Sequence, residues 1–153
     1  MFAVRCAVLA VSIFALAAPV NAAVQPWDQK KVTELGEQLE TTTRELWETF
    51  RQQPRPTLGQ GQANSFFRLQ QQLRQLRTEA RSLARMLDDG AGHDETLPSF
   101  ESMMQTIRIA EENARRVFTG TTVRDRAQAA REVLNQMTPF YQADPTVLEP
   151  VQR

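Results

Sequence analysis

Between Phe66 and Leu87 the apolar residues stand at Phe66, Leu69, Leu73, Leu76, Ala80, Leu83 and Leu87, alternating spacings of three and four without a break. An α-helix gathers such a series on one face, whereas a strand scatters it over both surfaces. The stripe runs the full length of the segment, so this helix must find an apolar partner all along it. Asp88-Asp89-Gly90 ends it, with the glycine placed where a helix closes into a left-handed turn.

Three further stretches carry the same period. From Trp27 to about Gln52 the seam is Val32, Leu35, Leu39, Thr42, Leu46 and Phe50, and Pro54-Arg55-Pro56 stops it. A third stretch, 95–118, carries Phe100, Met103, Ile107, Ala110, Ala114 and Val117, with Pro98 in a first turn where its missing N–H is harmless. The fourth, 122–142, opens on Thr122 as a cap with Asp125 three residues on, and carries Val123, Ala127, Ala130, Leu134, Met137 and Tyr141. Pro139 is expected to kink or shorten its last turn.

Helices over 27–52, 60–88, 95–118 and 122–142 would each be about 31–44 Å long, matched closely enough to lie side by side. The short links near 89–93 and 119–121 make successive helices antiparallel. The expected fold is therefore all-α: one up-down-up-down four-helix bundle over 23–143, followed by a tail over 144–153. Aromatic residues make up 7% of the chain, lean for a β-sandwich.

The amino terminus reads as an address. Arg5 precedes the apolar run Cys6 to Ala18, and Pro19-Val20-Asn21-Ala22 follows with small residues at 20 and 22. That is the layout of a cleavable signal peptide over 1–22, with cleavage expected after Ala22 and a periplasmic or secreted location. The apolar run is short of the roughly 20 residues that cross a bilayer. Cys6 is the only cysteine, so cleavage leaves a chain with no disulfide, no thiolate nucleophile and no cysteine-ligated metal.

Charge is balanced overall, with 18 basic and 18 acidic residues, and this excludes the basic excess of a nucleic-acid binder. It is not balanced helix by helix. Residues 28–52 carry four basic and six acidic groups, 62–88 five and two, 94–118 three and five, and 121–143 three and two. Each helix thus follows one of opposite sign, which biases pairing and register more than it adds stability.

Catalytic and cofactor chemistry finds few residues to stand on. Bundles that hold metals or perform acid-base chemistry place facing carboxylates and histidines in the core. Here the seams contain only Thr42 and Tyr141 as polar entries. His93 is the only imidazole and falls in the turn between the second and third helices, where a solvated turn residue is the plain reading. Haem needs Cys-x-x-Cys-His or core-facing axial ligands, and neither is present. Met86, Met103, Met104 and Met137 suit core filling better than a thioether copper site. No phosphate loop, nucleophile elbow or zinc spacing occurs, and no serine has an evident general base. The chain is read as a non-enzyme without cofactor or metal.

What remains is surface. Arg74, Arg77, Arg81 and Arg85 form a stripe on the second helix able to receive an anionic lipid, a glycan or an acidic envelope protein. The alternative is that acidic residues of the first and third helices already neutralise it. Trp47 falls one place outside its seam and is expected to be partly exposed beside that region, and Ile109 likewise. Gly36 and Thr41-Thr42-Thr43 lower the helix propensity of the first stretch, which makes it the element expected to open. The function expected is an interaction module, monomeric or dimeric. A periplasmic chaperone holding unfolded clients is the second reading, and a haem or copper carrier the third.

Overall fold

A computed structural model describes residues 25–53, 60–117 and 119–141. The segments expected to be a signal peptide (1–22), a helix stop (Pro54–Pro56) and a tail (144–153) lie outside them. The described residues form four helices and no strand: α1 (Gln29–Gln52), α2 (Gln60–Asp88), α3 (His93–Ala114) and α4 (Thr121–Tyr141). None is long and apolar enough to cross a membrane.

Neighbouring helices run antiparallel, as their partners show. Phe50 near the end of α1 stacks on Phe66 near the start of α2 at 5.0 Å between ring centres. Gln75 and Gln72 of α2 meet Thr106 and Asn113 of α3 in reversed order. Glu45 of α1 pairs with Arg126 of α4 at 2.6 Å. Around the bundle the order is α3, α2, α1, α4, and the circuit is left incomplete because α3 and α4 barely touch.

The seven-residue seam of α2 is buried in full. It joins two apolar clusters stacked along the bundle. One is built around Val32, Leu35, Leu39, Leu83, Leu87, Phe100, Met103 and Met137; the other, at the opposite end, around Leu46, Trp47, Phe50, Phe66 and Leu69. Met103, Met104 and Met137 are all core residues.

The ends of the helices are closed by specific groups. Gly90 takes a φ of +88°, and its N–H and that of Ala91 reach back to the carbonyls of Leu87 and Met86 at 3.1 and 2.8 Å. This is a Schellman closure, which needs the left-handed residue at that place. The carbonyl of Leu87 also accepts from Gln29 Nε2 at 3.0 Å and Thr33 Oγ1 at 3.2 Å, so the start of α1 caps the end of α2. Asp28 caps α1 itself, its Oδ1 accepting from the Lys31 N–H at 3.1 Å.

Several local expectations are corrected. Helix α3 starts at His93 rather than 95, because Glu95 Oε2 accepts from the Gly92 N–H and Thr96 Oγ1 donates to the Gly92 carbonyl, both at 2.9 Å. It ends at Ala114, short of 118. The threonine buried in α1 is Thr43, not Thr42; its hydroxyl donates to the Leu39 carbonyl at 2.7 Å, a bond inside its own helix that lets it sit in the core. Thr122 lies within the first turn of α4, and Pro139 stays inside that helix, its carbonyl accepting from the Gln25 N–H at 3.0 Å.

The expectation that α1 opens also changes. Gly36 is buried, and a Cβ there would lie 2.8 Å from Leu87 Cδ1 and 3.5 Å from Ala84 Cα, so this glycine marks a close approach of α1 and α2. With α2 on one side and α4 on the other, α1 is packed along both flanks.

Candidate anion-binding groove

Trp47 is the residue that relates the arginine stripe to the fold. It is 8% exposed rather than standing free, packed with Phe50, Phe66 and Leu69. Its burial follows from α2 crossing beside it, which widens the covered face of α1 from Leu46 to Trp47. Above it lies a shallow groove of about 520 Å³, lined by Trp47, Arg51, Gln70, Gln71, Arg74 and Arg77.

The spacing explains the assembly. Arg51 follows Trp47 by one helical turn, and Gln70 and Gln71 precede Arg74 by one turn, so each set shares a face. The lining holds three guanidinium groups, two amides and no carboxylate. Among the described residues, Arg51, Arg74 and Arg77 make no ion pair. One turn further along, at Phe67, a ring stands 53% exposed. A groove with forked cations, adaptable amides and an exposed ring at its end suits an anion carrying apolar surface.

The rest of the stripe parts from this group. Arg81 turns to Glu40 of α1, with 3.9 Å between Nε and Oε1. Arg85 is exposed in the last turn of α2, where a cation complements the helix dipole. Of the acidic residues of α1 and α3, Glu45 pairs with Arg126 and Glu111 with Arg131, both on α4. Arg51, Gln70 and Gln71 in the lining, and Phe67 beside it, are the members that sequence reasoning missed. Arg51 was legible as the residue one turn after Trp47, whereas the exposure of Phe67 depends on which of two adjacent rings faces α1. Ile109 is 43% exposed, as expected.

The opposite end of the bundle holds the only histidine and tyrosine. His93 is not a free turn residue: it lies between Trp27 and Tyr141, at 5.5 and 5.8 Å between ring centres, with Nδ1 2.7 Å from Asp94 Oδ1. Tyr141 donates to Thr96 Oγ1 at 3.0 Å. Burial pushes its phenol up to about 12, partly offset by that hydrogen bond. Among the described residues, no three of His, Cys, Asp and Glu gather in a metal-binding group.

Tyr141 has a measurable consequence. Its folded-state pKa lies above the unfolded value of 10.0, so the folded chain holds this proton more tightly. The associated stability is present below pH 10 and is lost as pH rises through about 12. Because Tyr141 is the only tyrosine, absorbance of the tyrosinate band reads it alone. Ionisation is expected near pH 12 in the folded chain, and near pH 10 once denaturant is present. A native midpoint near 10 would mean that the phenol is not buried.

In comparisons with protein-family models, curated proteins and solved structures, nothing matches this chain.

Proposed function

We propose that the protein is a secreted or periplasmic, non-enzymatic helical module that binds an anionic, partly apolar partner of the cell envelope. The observation that carries this reading is the α1/α2 groove, where Arg51, Arg74 and Arg77 converge over Trp47 with no carboxylate in the lining. Arginines without acidic partners keep their field toward the groove, and a groove concentrates that field. The up-down-up-down arrangement serves this role by holding the three guanidinium groups on two rigid helices rather than on loops.

The test is direct binding to vesicles of phosphatidylglycerol and to soluble polyglutamate, at low and moderate salt. Binding is expected to weaken as ionic strength rises. Arg74→Glu with Arg77→Glu is expected to weaken it by at least about tenfold, corresponding to about 1.4 kcal/mol. Arg74 is exposed and Arg77 half-buried, and neither belongs to the apolar clusters, so melting temperature should change little. Equal binding by the double variant, or none by the parent chain to either probe, would end this reading.

A further inference from the structure

Helices α3 and α4 face each other across a gap. Between them lies an apolar cleft of about 130 Å³, floored by Leu73 and Leu76 of α2 and walled by Ile107 and Ala110 of α3 and by Ala127 and Leu134 of α4. Its openness has a side-chain cause. Helix α3 turns its hydrogen-bonding groups toward α2, where Gln75 donates to Thr106 at 3.3 Å and Asn113 donates to Gln72 at 3.0 Å. That rotation presents Ile107 and Ala110 toward α4, and α4 answers with alanine, too short to fill the space.

Enclosed apolar cavities of this size stay dry and take up small hydrocarbons; an engineered cavity of about 150 Å³ lined by Leu, Ile and Phe accepts benzene. This cleft is not apolar throughout. It opens into a second hollow of about 260 Å³ lined by Glu111, Arg115, Arg124, Gln128 and Arg131, together with Ala114 and Ala127. Glu111, Arg124 and Arg131 border both spaces. Arg131 is paired with Glu111, whereas Arg124, which borders both spaces, makes no ion pair among the described residues. The mouth therefore keeps a positive excess directly above an apolar chamber.

We propose that the α3/α4 cleft is a binding site for a small amphipathic monocarboxylate, its alkyl or aryl part among Leu73, Ile107 and Leu134 and its carboxylate on Arg124 and Arg131. The guanidinium fork fits a carboxylate with two parallel hydrogen bonds. Size and charge together select this class: the chamber admits a six-carbon chain or one ring, and the mouth rejects a cationic head. The site shares no arginine with the α1/α2 groove and stands or falls separately from it.

The experiment is titration of the mature chain, labelled at its Ile, Leu and Ala methyl groups, with hexanoate, hexanol and acetate, followed by NMR. Hexanoate is expected to shift Ile107, Ala127 and Leu134 saturably. Hexanol should shift the same methyls about tenfold more weakly, and acetate none of them. Each methylene removed from the acid should weaken binding about fourfold. Arg124→Gln with Arg131→Gln is expected to bring hexanoate down to the level of hexanol without altering hexanol. Ala127→Phe, which places a ring in the cleft, should abolish both while the melting temperature is held or raised. Absence of saturable shifts, equal affinity for hexanoate and hexanol, or the same methyls shifting with protein concentration alone would overturn the proposal, the last by assigning the cleft to a second copy.

Discussion

Phe100→Ala is expected to lower the stability of the fold by about 3–5 kcal/mol, the range for removing a buried aromatic ring. Phe100 is fully buried and stacks on Tyr141 at 4.1 Å between ring centres, in the cluster that joins α1, α2, α3 and α4. Its removal deletes that contact and leaves a cavity that four helices cannot all close upon. Chemical denaturation reads the loss, with Phe67→Ala as the control. That ring is exposed, and its removal should change stability by no more than about 0.5 kcal/mol. A loss at Phe100 below about 1 kcal/mol would mean that this end of the bundle is not packed as described.

Gly36→Leu is the second large effect, and it acts by overfilling. The space above Gly36 is occupied by Leu87 Cδ1, 2.8 Å from where a Cβ would stand. Leu87 is itself buried and cannot swing away into solvent. A leucine there must separate α1 from α2 or push Leu87 off its rotamer, at about 1–3 kcal/mol. Gly36→Ala tests the sign of the balance. Its gain in helix propensity, about 1 kcal/mol, opposes the contact with Leu87, so it should stay within about 1 kcal/mol of the parent. Shortening the neighbour provides a diagnostic: Leu87→Ala should cost less beside Gly36→Leu than alone, a coupling of about 1–3 kcal/mol. Strict additivity would place Gly36 away from Leu87.

Much of this fold was legible because one signal dominates it. Every residue of the Phe66 to Leu87 seam is buried, since a 3.6-residue period has only one way to be covered when helices flank it on both sides. The alternation of helix charge is realised in ion pairs between oppositely signed neighbours, Arg81 with Glu40, Arg126 with Glu45 and Arg131 with Glu111. Side chains whose burial depends on the register between helices were not legible. Thr106 and Asn113 are buried because Gln75 and Gln72 arrive opposite them, and an apolar count passes over both. Gly36 reads as a weak point in isolation and becomes a close contact only when Leu87 faces it.

The candidate site was legible in part for the same reason. The arginines of α2 lie on one helix and their spacing is local information, so Arg74 and Arg77 could be chosen directly. Which of the four keeps a free field depends on α1: Glu40 reaches Arg81, whereas Trp47 and Arg51 lie beside Arg74 and Arg77. The α3/α4 cleft is a still longer-range property. Alanines at 127 and 130 fill a seam when helices approach closely and leave a cleft when they do not, and the hydrogen bonds of α3 to α2 decide between these outcomes.

The two tryptophans allow the central claim to be measured with an internal control. Trp47 lies in the α1/α2 groove and Trp27 packs against Tyr141 near the other end, some 20 residues or about 30 Å away along α1. The measurement is the indole N–H signals of both during titration with phosphatidylglycerol vesicles or polyglutamate. A saturable, salt-sensitive change at Trp47 with Trp27 unmoved is the predicted result. Movement of Trp27 alone, or of neither while the anion binds, would contradict the placement of the binding site in this groove.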